Sequence, residues 1–295
     1  MRRALLYTCL LLSSLGALAT VGMVIVLLPK EKAQQRAQEL VREAQQLGAQ
    51  GQRKASLVKV QEALRVAPDN PSAHRELGLH LMARGKVTEG LAELRRVAEA
   101  APYDPGAAWE LAFGYIAAQQ PAEAEKWFVE VTKMERNNGA AYAMIANCRA
   151  QHGDLQGALR WAERGVQVSP RLPITQFTLG LTRWYTQDLE GARQSLEETL
   201  RLRPTDAKAM LALAAVTGKM HRSDLAAGYL ERALRLVPDD PVTWVALGAA
   251  RLNLHQPREA EQAFARAVAL APDNKMARAG LEKARQGPRQ SAPRP

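Results

Sequence analysis

The chain has 295 residues, 47% of them apolar and only 5% aromatic, and carries a formal charge of +10. It is long enough for one or two ordinary domains. Its abundance of Ala, Leu, Arg, Gln and Glu, without β-branched runs, excludes a sheet core and favours helix, while the charge admits nucleic acid or an anionic membrane surface without choosing between them.

The basic tail at 1–3 is followed by 25 residues without a charge, Ala4 to Leu28, ended by Pro29, Lys30, Glu31 and Lys32. At 1.5 Å per residue such a helix crosses the hydrocarbon core of a bilayer, so 4–28 is expected to be a transmembrane signal-anchor helix. A cleaved signal peptide competes, because Ala17-Leu18-Ala19 offers a small-residue cleavage site; a buried helix is the third reading. The apolar run continues through Val21 to Leu28, which favours the uncleaved anchor. Positive charges on the two sides nearly balance. The short basic tail resembles a signal-anchor that exports its body, and the Ala-, Leu- and Arg-rich composition fits a high-GC bacterial gene, so the expectation is a bacterial inner membrane with the remainder of the chain in the periplasm. Cys9 lies inside the run, where Leu6-Tyr7-Thr8 makes a poor lipidation signal, and it cannot pair with Cys148 across a bilayer. Two cysteines leave the redox compartment open.

Residues 29–36 form a charged linker. From Glu31 to Gln52, Ala33, Ala37, Leu40, Ala44 and Leu47 share one side, which predicts a helix leaving the membrane and opening a degenerate unit at 37–70, with Glu43 at a core position. Proline then recurs every 34 residues at Pro68, Pro102, Pro170, Pro204, Pro238 and Pro272, with Arg136 on the remaining rung. Proline cannot continue a helix, and the Asp or Asn that follows several rungs caps the next one. Pro71, Pro105, Pro173 and Pro241 suit a first helical turn. Turns such as Arg84-Gly85-Lys86 and His152-Gly153-Asp154 divide each unit into two helices. Small residues at Gly78, Ala112, Ala146, Gly180, Ala214 and Gly248 let the pairs approach; Phe128, Leu196, Leu230 and Phe264 fill the space between neighbours. A helix at 275–286, with Met276 and Leu281 turned inward, is expected to cap the array, and 287–295 to be a disordered tail.

These residues carry a family resemblance. An aromatic or large residue, then Leu with Gly or Ala, then Ala, a large apolar residue, and a closing Pro recur as Trp244, Leu247, Gly248, Ala260, Phe264, Ala267 and Pro272. The same pattern appears as Tyr142, Ile145, Ala146, Ala158 and Pro170, and as Leu179, Gly180, Ala192, Leu196 and Pro204. The array resembles the tetratricopeptide-repeat family, with six repeats at 71–104, 105–138, 139–172, 173–206, 207–240 and 241–274. The resemblance implies an all-α, right-handed superhelical solenoid in which the first helix of each repeat lines a concave face. Transferred to this sequence, that face carries Arg75, Leu79, Met82, Trp109, Phe113, Ile116, Asn147, Phe177, Leu181, Trp184, Tyr185, Leu211, Val245 and Leu252. Two aromatic patches emerge, Trp109-Phe113-Ile116 and Phe177-Leu181-Trp184-Tyr185, separated by Ala143, Asn147 and Ala150. They read either as a groove for a peptide or helix or as side chains half-buried between helices. Arg75, Asn147, Lys219 and Asn253 are too scattered for the carboxylate clamp some family members use.

No constellation in the sequence points to catalysis. His74, His80, His152, His221 and His255 read as surface turn histidines rather than metal ligands, and His74 and His80 do not share a helix face. Cys148 reads as a small core residue. There is no phosphate-cradling loop or Cys-x-x-Cys pair. The expectation is a non-enzymatic, membrane-anchored scaffold or assembly factor that binds a membrane or envelope protein, without cofactor or small-molecule substrate. A self-assembling array is the alternative. Nucleic acid is disfavoured because basic residues such as Arg160, Arg164, Arg232 and Arg235 are dispersed and often have acids nearby.

Overall fold

The computed structural model describes residues 30–286. The basic tail at 1–3, the apolar run 4–28 with Cys9, and the tail 287–295 lie outside them. Among the described residues every element is helical, and no helix is long and apolar enough to cross a membrane. The chain divides into two compact units, Met1–Trp127 and Phe128–Pro295.

In the first unit, α1 (30–49) is followed by α2 (Arg53–Val66), α3 (Pro71–Ala83), α4 (Val87–Ala100) and α5 (Pro105–Ala117). The stripe predicted on α1 is real. Ala37, Leu40 and Val41 are buried against Ala63, Ala67 and Ala73, so α1 and α2 form the first hairpin. Glu43 is half-buried and meets Lys59 at 3.2 Å. α6 (Pro121–Met134) contains the division between units. The second unit continues with α7 (Gly139–Gln151), α8 (Leu155–Val168), α9 (Pro173–Tyr185), α10 (Leu189–Leu202), α11 (Ala207–Lys219), α12 (Ser223–Leu236), α13 (Pro241–Asn253), α14 (Pro257–Leu270) and α15 (Lys275–Gln286). Each second helix packs on its own first helix and on the first helix of the next pair: α8 on α9, α10 on α11, α12 on α13, α14 on α15. A single pair cannot bury its apolar face alone, so stability comes from this stacking.

Three devices repeat every 34 residues. First, Asn70, Asp104, Asn138, Asp206, Asp240 and Asn274 accept from backbone N–H groups in the first turn of the following helix. Leu172 occupies the seventh position and has no such acceptor; there the Thr175 hydroxyl donates to the Ser169 and Leu172 carbonyls instead.

Second, the turns within hairpins place residues 51, 85, 119, 153, 187, 221 and 255 in the left-handed region, with φ between 57° at Gln119 and 82° at Gly153. Two backbone bonds close each turn, as when Arg222 N–H donates to Thr217 at 2.8 Å and His221 N–H to Gly218 at 3.1 Å. This pairing satisfies carbonyls that a helix end leaves open. Glycine holds the position at Gly51, Gly85 and Gly153; Gln119, Gln187, His221 and His255 adopt it without glycine's freedom.

Third, at four of the seven first helices from α3 onward, the side chain at the fourth position reaches back six residues to the rung carbonyl. Trp244 Nε1 donates to Pro238 at 2.8 Å, Gln176 to Pro170 at 3.2 Å and Tyr142 to Arg136 at 3.3 Å, while His74 Nε2 lies 2.7 Å from the Pro68 oxygen.

That last contact corrects the reading of two histidines. His74 is buried, with Nδ1 2.6 Å from Glu93, and half-buried His80 meets the Ser56 hydroxyl at 2.8 Å. Both join neighbouring helices rather than sitting on surface turns. The cap differs in detail too. Met276 is 69% exposed, whereas Ala277 and Ala284 are buried and Leu281 packs on the Phe264 cluster. Spacing of four and then three residues puts these on one face and leaves Met276 outside it. Cys148 is fully buried.

Candidate partner-binding surface

In the first unit, α3 and α5 supply the surface. Phe113 and Leu79 are exposed, and Trp109 lies one turn from Phe113 with ring centroids 5.3 Å apart. Met82 and Ile116 are half-buried. Arg75 reaches from α3 to α5, 2.8 Å from Glu110 and 3.2 Å from Asp104. It therefore ties adjacent repeats together. Burial pushes the Glu110 carboxyl above its ordinary value, with Arg75 opposing that shift. Gln45 donates to Glu76 at 2.7 Å, and the Glu76 charge adds to the upward pull on Glu110, while Asp104 and Glu110 share the Arg75 guanidinium.

In the second unit, Phe177, Leu181 and Trp184 are half-buried against a core cluster that includes Leu196, Met210, Leu213 and Val216. Tyr185 stacks on Trp184 at 5.4 Å and remains 48% exposed; Lys219 Nζ stands 6.0 Å from the Trp184 ring centroid, at the edge of cation–π range. Asn147 is half-buried on α7, beside fully buried Ala143. Val245 and Leu252 are half-buried against Ala260, Phe264 and Ala284 next to the capping helix.

Both readings of the sequence thus find residues. Leu79, Phe113, Tyr185 and Leu211 are exposed, and the other residues of that set are half-buried. The structure adds an apolar trough of about 440 Å³ between α11 and α13. Its walls are Leu211, Ala215 and Gly218 on one helix and Val242, Ala246 and Ala249 on the other, with Leu230 among the lining residues. Val242 is 66% exposed. The trough exists because the side chains facing it are small. A search for large aromatics passes over it; the signal was the recurrence of Ala and Gly where other repeats carry Phe or Trp. Among the described residues no group of three or more His, Cys, Asp or Glu side chains could hold a metal ion.

Residues 41–105 and 177–241 match one tetratricopeptide-repeat family model, and 81–148 match a second. The chain belongs to the tetratricopeptide-repeat family. No curated protein matches it significantly. Among solved structures it is similar to the crystal structure of the APC/C hetero-tetramer Cut9-Hcn1, at 16% identity and a TM-score of 0.65, over 82% of this chain. It spans about half of that protein, 48%. It is similar as well to a tetratricopeptide-repeat protein from Parabacteroides merdae, at 13% identity and TM-score 0.65, covering 85% of this chain and 99% of the other. YrrB, described as a tetratricopeptide-repeat protein with an unusual peptide-binding site, matches at 13% identity and TM-score 0.53 over 64% of this chain and 97% of its own. At these identities the likeness shows the all-α repeat fold. Proteins of this family generally act as protein-interaction scaffolds, and the family assignment supports a non-enzymatic role.

Proposed function

We propose that this protein is a membrane-tethered scaffold that receives an apolar segment or helix of an envelope or membrane protein on the surface of its first helices. The observation that carries this reading is the trough between α11 and α13, an open apolar channel with exposed Leu211 and Val242 on its rims. Soluble surfaces rarely keep contiguous apolar ground without a partner. Small wall residues let a partner's backbone come close, and apolar anchors in such a channel concentrate binding energy. That YrrB carries a peptide-binding site on the same fold is consistent with it. The tether is the charge-free run 4–28, and its short basic tail supports export of the repeats to the periplasm.

The test is crosslinking in native membranes followed by capture of the full chain, comparing wild type with Leu211→Glu/Val242→Glu. Both side chains are exposed, so the pair leaves the core alone. Trp184 is a poorer target, because it packs on the core cluster. Loss of specific partners in a variant of unchanged helicity supports the reading. An unchanged partner set overturns it, and recovery of only the chain itself replaces it with self-assembly. A reporter fused after Gln286 reads out the side of the membrane, and activity restricted to the cytoplasm refutes the periplasmic assignment.

A further inference from the structure

At the turn edge of the first unit, a cleft of about 430 Å³ is lined by Arg53, Lys54, Leu57, His80, Ala83 and Arg84. No carboxylate is among them. Arg53, Lys54 and Arg84 are exposed, and among the described residues none has an ion pair or a side-chain hydrogen bond. Nearby Lys59, Arg75 and Lys86, by contrast, each hold an acid. α2 begins at Arg53 and α3 ends at Ala83 in the same cleft, so the two helix ends offset one another and the three cations carry the local charge. The Ser56 hydroxyl holds His80 Nε2 at 2.8 Å. Leu57 and Ala83 give the cleft an apolar floor. A second cleft of about 330 Å³ shares Arg53, His80 and Ala83 with the first and reaches exposed Leu79 and the carboxylate of Glu76.

We propose that this cleft takes a short acidic segment of the partner protein, with carboxylates on Arg53, Lys54 and Arg84 and one apolar side chain on Leu57 and Ala83. The proposal rests on the scaffold reading above and names the chemistry of the segment that leaves the first-helix surface past Leu79. Charge complementarity selects an acid, because three unpaired cations meet with no acid between them. The cleft is several times larger than one oxyanion, and its floor rewards an apolar group. A long polyanion is disfavoured, since continuing past Leu79 would bring it onto Glu76, Asp104 and Glu110.

The test uses the full chain and a fluorescein-labelled peptide, Asp-Glu-Leu-Glu-Asp, read by anisotropy at low salt. Arg53→Ser/Lys54→Ser/Arg84→Ser is expected to weaken binding at least about tenfold, as three charge contacts together should. Arg171→Ser/Lys208→Ser/Lys283→Ser, with the same change in net charge, leaves it within about twofold on the same reasoning. Leu57→Ser and the peptide Asp-Glu-Ser-Glu-Asp each weaken it several-fold. The proposal is overturned by equal losses in both triple variants, by the serine peptide binding as tightly, or by inorganic phosphate or a single-stranded oligonucleotide displacing the peptide at equal concentration. If the peptide fails to bind while partner capture still depends on Leu211 and Val242, this inference alone fails. If partner capture ignores Leu211 and Val242, the scaffold reading fails first.

Discussion

The left-handed position at each hairpin turn allows a measurement of backbone strain without side-chain complications. At Gly153 an added Cβ meets no heavy atom within 4 Å, so Gly153→Ala introduces no clash. Its two turn bonds, Gly153 N–H to Ala150 at 3.1 Å and Asp154 N–H to Arg149 at 3.0 Å, are main-chain and persist. What remains is the conformational term. Holding a non-glycine residue in the left-handed region costs about 1–2 kcal/mol, offset by about 0.4–1 kcal/mol because alanine restricts the unfolded chain. The net loss is about 1 kcal/mol. The reverse change, His221→Gly at φ 60°, should gain a similar amount, which for a chain of this size moves the melting temperature by about 2–4 °C. Urea unfolding of the full chain, followed by circular dichroism, reads both. If Gly153→Ala melts like wild type, or His221→Gly destabilises, then the turn is held by something other than main-chain geometry and the argument is wrong.

Three further outcomes follow from contacts already described. Trp244→Phe keeps an aromatic ring, smaller than the indole, and loses the donor to Pro238, leaving that carbonyl to water, and should cost at least about 1 kcal/mol in the same assay; no change would mean that the bond contributes nothing. Gly248→Ala forces a Cβ to 2.8 Å from three Phe264 ring atoms, and overpacking of this kind costs about 1–3 kcal/mol. Gly228→Ala, open on all sides of α12, should instead gain up to about 1 kcal/mol from helix propensity. The two must move in opposite directions. Because burial raises the Glu110 carboxyl, the folded chain holds that proton more tightly than the unfolded one. Its contribution to stability is therefore present at acid pH and lost as pH rises through its titration. Glu110→Gln should match wild type in acid and gain on it toward neutral pH, and a difference that stays constant with pH would refute the assignment.

Much of the fold was legible because its signals are periodic. Pro68 through Pro272, the Asp and Asn that follow them, and the small residues facing Leu196 or Phe264 sit in one register, and each has a plain physical reason. The turn strain at Gln119, Gln187, His221 and His255 was not legible from residue type, since neither Gln nor His announces a positive φ; only alignment with Gly51, Gly85 and Gly153 reveals it. His74 and His80 were misread for a related reason. Taken singly they resemble surface histidines, whereas in register His74 stands where Tyr142 and Trp244 stand and makes their bond. Side chains on first helices are the least legible, because one helix face is shared between core and surface. Trp184 and Tyr185 are consecutive, yet the first packs on Leu196 and Leu213 and the second faces outward.

The bonds that reach back six residues hold a 34-residue register in the four repeats that carry them. Donor and acceptor are always the same short distance apart along the chain, so removing 207–240 would bring Trp244 six residues after Pro204 and offer its indole an equivalent carbonyl. A loss of 33 or 35 residues would break that match and turn every later first helix by about 100°. Gain or loss of a whole repeat therefore leaves these bonds their partners, so the length of the array can change without disturbing the turns that make them.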